Sequence, residues 1–192
     1  MDQQAVIART RRWVSAVVIG LNFCPFARRV FEADLIRYVV TDATDAQALF
    51  EKLTDEMLSL AAGPSDRVET TLLIHPHALA DYAAYNDFLG DGDRLIGQLG
   101  LTGRVQIAGF HPAYQFAGTE PGAVENYTNR SPYPMLHLLR EESLTKVAGD
   151  PDELAEIPRR NIATLKKLGR AGILDLIKEL PADDSLRRPA LG

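Results

Sequence analysis

Two segments of this 192-residue chain stop in the same way. Leu72-Leu73-Ile74 runs into His75-Pro76, and Ile107-Ala108-Gly109-Phe110 runs into His111-Pro112. Proline has no backbone N–H to give a sheet ladder, so each apolar run reads as a strand that ends near its histidine. Leu35–Val40 has the β-propensity of an earlier strand, and the two His-Pro strands are expected over 68–75 and 104–110. Between the first two, Thr44 with Gln47 three residues on is a capping box that opens a helix to about Ala62, where Gly63-Pro64-Ser65-Asp66 stops it. A second helix is expected over 78–97, interrupted at Gly90-Asp91-Gly92-Asp93. Strand–helix–strand–helix–strand implies parallel strands joined by crossovers. The expected fold is therefore a small α/β domain of two or three layers around a mostly parallel three-stranded sheet, with helices at its C-terminal end. Both imidazoles then sit at carboxyl ends on one sheet edge, where open α/β sheets bind ligands.

The flanking segments read as follows. Residues 3–21 form an amphipathic helix ending near Gly20, followed by the turn Asn22-Phe23-Cys24-Pro25-Phe26 and a short helical stretch. Pro112–Ser131 lacks periodicity; a loop of that length inside a domain is usually functional or disordered, and its Tyr114, Phe116 and Tyr127 favour packing. Ser131-Pro132 predicts a helix to about Val147, and Asp150-Pro151-Asp152-Glu153 starts another, broken at Pro158 and stopped by Gly169. A short helix over 171–180 and a flexible tail over 181–192 complete the reading, with residues 1–180 as a single domain.

Net charge of −5 and a pI near 5.4 argue against nucleic acid or an anionic membrane as partner. The single cysteine, Cys24, rules out an internal disulfide and fits a reducing, cytoplasmic compartment. Arg11-Arg12 before an apolar stretch resembles a twin-arginine leader, but Asn22-Phe23-Cys24-Pro25 is not a small-residue cleavage site, and positions 13, 14, 17, 18 and 21 fit one face of a helix. No P-loop, dinucleotide fingerprint, nucleophile elbow or His-Glu-x-x-His helix is present.

Three constellations can carry chemistry. His75, His77 and His111 are imidazoles at strand ends and can ligate a divalent metal such as zinc; the alternative is that they hydrogen-bond to loop backbone. Cys24 opens a short helical segment carrying Arg28 and Arg29, both aids to a nucleophilic thiolate, although free cysteine more often behaves as a small buried hydrophobe. The polar stretch from Glu125 to Pro134, with His137, Arg140 and Glu141 on one face of the expected helix, offers Arg130 and Arg140 to grip a carboxylate or phosphate. Pro132 and Pro134 remove early helix N–H groups, so such a grip must come from side chains. The alternative there is an ordered loop stapled by its own Asn and Thr side chains.

Cys24-Pro25-Phe26-Ala27, Phe110-His111-Pro112 with Tyr114-Gln115-Phe116, and Thr128-Asn129-Arg130-Ser131-Pro132-Tyr133-Pro134 with Leu139-Arg140-Glu141 together resemble a bacterial family, also present in plants, that is a domain of unknown function. The resemblance covers nearly the whole chain, implies a single-domain soluble protein and brings no assigned activity.

The leading functional expectation is an enzyme acting on a small anionic metabolite at the carboxyl edge of the sheet. Cys24, His75 and His111 would be its catalytic residues, and Tyr114, Asn129, Arg130 and Arg140 would bind the substrate. A second expectation is a non-catalytic metal- or metabolite-binding protein using His75, His77 and His111. A third is an interaction module whose helices over 151–180 hold a partner protein.

Overall fold

The computed structural model of the chain describes residues 2–143 and 151–178. Helix α1 (Gln3–Trp13) starts at Asp2, whose side chain accepts from Gln4 N–H at 3.0 Å, and it passes directly into a π-helical segment, Val14–Ile19. Then come α2 (Ala27–Glu32), β1 (Ile36–Val40), α3 (Ala46–Ala62), β2 (Thr70–Ile74), α4 (Tyr82–Gln98) and β3 (Val105–Phe110). A 3-10 turn (Val124–Thr128), β4 (Met135–Arg140) and α5 (Pro151–Lys178) follow.

The four strands form one mixed sheet in the order β1-β2-β4-β3. β1 and β2 are parallel, and β4 runs antiparallel to both β2 and β3. The three strands expected from sequence thus share a direction, but β4 is inserted between the two His-Pro strands. This corrects the expected three-stranded, mostly parallel sheet and the expected helix over 131–147, of which residues 144–147 lie outside the described residues. The physical reason is coverage. A central strand is buried on both faces, so Met135-Leu136-His137-Leu138-Leu139 shows an apolar run with no clean alternation, and a short run of that kind does not distinguish strand from helix. Ser131 is no helix cap either: its Oγ donates to Tyr133 O at 2.6 Å and closes the turn that feeds β4.

Smaller corrections have equally local causes. The helix α3 is capped by Asp45, one residue after the expected Thr44; the Asp45 carboxylate accepts from Ala48 N–H at 2.9 Å. Helix α4 runs unbroken through Gly90-Asp91-Gly92-Asp93. A Cβ on Gly92 would come within 2.7 Å of Ile107 Cδ1, so this glycine permits close approach to β3 instead of ending the helix. Pro158 lies inside α5 without breaking it, whereas the helix kinks at Gly169, where φ is 74°. The tail expected over 181–192 lies outside the described residues.

Alternating strand residues face two helical layers. Leu73, Leu136, Leu138 and Val105 pack against Leu49, Leu53 and Met57 of α3 and Tyr85 and Phe88 of α4. Leu72, Ile74, Met135 and Phe110 face Val6 and Trp13 of α1, Val14, Val17 and Val18 of the π segment, and Leu165 and Ile173 of α5. Each fully buried side chain of this kind contributes about 1.5–3 kcal/mol. The arrangement is a three-layer α/β/α fold. It puts residues at odd positions of β4 under α1 and even ones under α3 and α4.

Candidate functional site

The two His-Pro strands do bring their imidazoles to one sheet edge. His75 and His111 are both buried and flank one ring: Tyr85 of α4 stacks on His75 at 5.9 Å with an 18° tilt and touches His111 at 4.9 Å. Tyr85 Oη donates to Met135 O at 2.8 Å and so anchors the cluster to the start of β4. Tyr82 lies 5.5 Å from His111 and 5.4 Å from Tyr114. The partners define the tautomers, because a carbonyl can only accept. His75 Nδ1–H donates to Ala78 O at 3.0 Å, which leaves Nε2 as a bare acceptor, buried and without a partner among the described residues. His111 uses both nitrogens: Nδ1 accepts from Ala113 N–H at 3.0 Å and Nε2–H donates to Leu79 O at 3.1 Å. Leu79 itself sits at φ 53°, a left-handed conformation that costs a non-glycine residue about 1–2 kcal/mol. Burial drives the His75 pKa down to about 4 and lowers that of His111.

His77 is exposed on the turn between these two groups. His75, His77 and His111 therefore do not converge as a ligand set. Among the described residues no three His, Cys, Asp or Glu side chains are grouped to hold a metal ion.

The loop after β3 is held by its own side chains. Asn126 Oδ1 accepts from Phe116 N–H at 3.0 Å and from Thr119 Oγ1–H at 2.9 Å, while its Nδ2 donates to Glu120 O at 2.9 Å. Asn129 Nδ2 donates to Gly109 O at 3.1 Å. Arg130 donates from Nε to Tyr114 O at 3.1 Å and from Nη2 to Pro121 O at 2.7 Å, and its guanidinium lies 4.6 Å from the centre of the Tyr127 ring. Arg140 is at the other end of β4, where Nε donates to Val68 O at 3.2 Å and Nη2 to Gly63 O at 2.9 Å. A six-residue strand spans about 20 Å. The two guanidinium groups expected on one ligand thus serve backbone carbonyls at opposite sheet edges.

Cys24 is not with the histidines of the carboxyl edge. It lines a partly open cavity of about 120 Å³ on the opposite face of the sheet, bordered by α1, the π segment, α2 and β1–β4. Trp13, Val18, Phe26 and Phe110 supply apolar wall, and Thr70 and His137 supply polar atoms. The Trp13 and Phe110 rings meet edge to face at 5.3 Å, and Phe110 lies 6.0 Å from His137. The wider turn of the π segment carries Val14 and Val18 into the wall; such departures from α-helix often accompany functional sites.

His137 reaches the cavity because β4 is a strand. Its neighbour across β2 and β4 is Leu72, and one row on is Thr70. Thr70 Oγ1 lies 2.6 Å from both Leu138 O and His137 Nε2. Thr70 has one proton, and the carbonyl requires it, so His137 Nε2–H donates to Thr70 and Nδ1 is left as an acceptor. Burial holds His137 near pKa 4, neutral at pH 7. Burial also pushes the Cys24 thiol up, outweighing the Phe26 and Ala27 N–H groups at the start of α2 and the more distant Arg160. Cys24 is thus a thiol, not a thiolate, at neutral pH. Its turn is clamped from α5, where Asn161 Nδ2 donates to Phe23 O at 2.8 Å. The Trp13 Nε1–H group is buried with no acceptor among the described residues.

Sequence reasoning singled out Cys24, His75 and His111, and did not single out Trp13, Thr70, Tyr85 and Phe110. Trp13 is the chain's single tryptophan, a signal that was present. The Thr70–His137 pair was hidden, because reading 131–147 as a helix takes His137 off the sheet.

The model of a family described as a protein of unknown function (DUF1415) matches residues 5–175. No curated protein and no solved structure matches the chain.

Proposed function

Since this chain belongs to the DUF1415 family of proteins of unknown function, we propose its role from its own geometry: it binds a small, mainly apolar organic molecule in the cavity between the sheet and the N-terminal helices. The observation that carries this reading is the cavity itself, about 120 Å³ walled by aromatic and aliphatic side chains around Cys24 and His137. Protein interiors are close-packed and contain few voids larger than a water molecule. A mainly apolar hollow with a few convergent polar groups is the usual form of a small-molecule site. Cys24 and His137 are then the residues placed to act on the bound molecule, should it be a substrate.

Trp13 makes the reading testable without knowing the natural ligand. Naphthalene added to the protein should quench Trp13 emission saturably, with one molecule bound per chain. Ala27→Phe, which adds a ring at the cavity wall, should abolish that response while the far-UV circular dichroism spectrum stays as in the wild type. Equal quenching in both proteins, or none in the wild type, refutes the reading.

The second reading is an enzyme for a small anionic metabolite at the carboxyl edge. One observation favours it: His75 and His111 meet at that edge, on either side of the Tyr85 ring. Its test is a screen of phosphorylated and carboxylated metabolites against the wild type, Arg130→Ala and His111→Ala. Retention of every hit by both variants would rule it out.

A further inference from the structure

The sheet has an open edge at β3. This strand lies outermost, beyond β4. Its residues 106–110 are only half-buried, whereas β2 is buried at every position. An antiparallel ladder uses alternate residues, and Glu141 N–H donating to Arg104 O at 3.0 Å sets the phase. Gln106, Ala108 and Phe110 therefore bond to β4, and Val105, Ile107 and Gly109 turn their backbone groups outward. Two of the outward groups are engaged: Val105 N–H donates to Leu101 O at 3.1 Å, and Gly109 O accepts from Asn129 Nδ2 at 3.1 Å. Val105 O, Ile107 N–H, Ile107 O and Gly109 N–H have no partner among the described residues. Proteins usually blunt such an edge with a charge, a proline or a bulge. The β3 sequence Val-Gln-Ile-Ala-Gly-Phe has neither charge nor proline, whereas β1, at the other edge, carries Arg37.

The free groups are self-complementary. With a two-fold axis at Ile107, a second β3 runs antiparallel to the first. Ile107 N–H then meets the partner's Ile107 O, Gly109 N–H meets the partner's Val105 O, and the axis repeats both bonds in reverse. The remaining groups that this register sets opposite each other, Val105 N–H and Gly109 O, are the two already bonded within the chain. A second copy of β3 thus matches the pattern group for group. We infer that two copies of this chain associate edge to edge through β3, joining their four-stranded sheets across a two-fold axis at Ile107. Isologous two-fold contacts are the commonest form of homo-oligomer.

Sedimentation velocity of the full chain at pH 7, over about a hundredfold range of concentration, should show a monomer–dimer equilibrium. Hydrogen exchange read by NMR at both ends of that range identifies the surface. The Ile107 and Gly109 amides should exchange slowly in the dimer and fast in the monomer, while those of Gln106 and Ala108, bonded to β4, stay slow in both. In this register Gln106 lies opposite the partner's Ala108. Gln106→Lys with Ala108→Lys sets like charges against each other on both sides of the axis and should weaken the dimer about 2- to 30-fold. Gln106→Lys with Ala108→Glu makes both pairs opposite in charge and should restore it. A monomer at every concentration overturns the inference, as does a dimer in which Ile107 and Gly109 exchange as fast as in the monomer, or equal affinity of the two folded variants. The wild-type measurements decide the matter even if a variant does not fold.

Discussion

Acid should destabilise this protein through two histidines, and one substitution should remove half of the effect. His75 and His137 have pKa values held near 4 by burial, against 6.5 for an ordinary imidazole. A difference of that size corresponds to about 3 kcal/mol for each group. The sign follows from proton counts. Between pH 6.5 and 4 the unfolded chain binds protons at these sites and the native state does not, so stability is full above 6.5 and falls as pH drops towards 4. Within that window each histidine contributes a slope of about 1.4 kcal/mol per pH unit, and the pair about 2.7. The perturbation is His137→Gln, whose amide N–H can still donate to Thr70 Oγ1 but does not titrate. Urea unfolding followed by circular dichroism at pH 7.0, 6.0 and 5.0 yields the slope directly. Carboxylates contribute equally to both proteins, so the difference between them isolates the imidazole. His137→Gln should flatten the curve by about 1.4 kcal/mol per pH unit. Parallel curves would show that His137 takes up a proton in the native state, and the assignment of a neutral ring facing the cavity would be wrong.

Three further outcomes are expected. Gly109→Ala should destabilise by about 1–3 kcal/mol in urea, because its Cβ would lie 2.7 Å from both Tyr85 Oη and Leu89 Cδ1; a neutral result would mean that α4 is free to move off β3. Arg140→Ala should cost about 1–3 kcal/mol by stripping donors from the Val68 and Gly63 carbonyls, read as a lower midpoint in thermal unfolding, whereas unchanged stability would release Arg140 for a ligand role. Native Cys24 should be alkylated by iodoacetamide at pH 7 at least about tenfold more slowly than in denaturant, since burial raises its pKa. Faster reaction in the native protein would identify a thiolate nucleophile.

Much of the fold was legible because local chemistry agreed with the tertiary outcome. Strand endings at His75-Pro76 and His111-Pro112, the α3 stop at Gly63 and the kink at Gly169 each rest on a backbone restriction that travels with the residue. β4 was not legible. Leucine and methionine favour helices, the run is apolar on both pleats, and only insertion between β2 and β3 makes it a strand. The same error scattered the candidate site. On a helix, His137 and Arg140 share a face; on a strand, an odd spacing puts them on opposite pleats, His137 bonded to Thr70 and the Arg140 guanidinium to the Gly63 and Val68 carbonyls.

The sequence by itself determined that two strands stop at His75-Pro76 and His111-Pro112, because the missing proline N–H is a local property. It determined also that Cys24 stands at the head of a short helix. Only the tertiary structure decided which groups meet. Tyr85 joins His75 to His111 from a helix between them in the chain, and Trp13, Cys24, Thr70 and His137 reach one cavity from four separate segments. Contacts of that range depend on strand order and on which face each helix covers. Those are set by the burial of the whole apolar surface and not by any neighbouring residues in the chain.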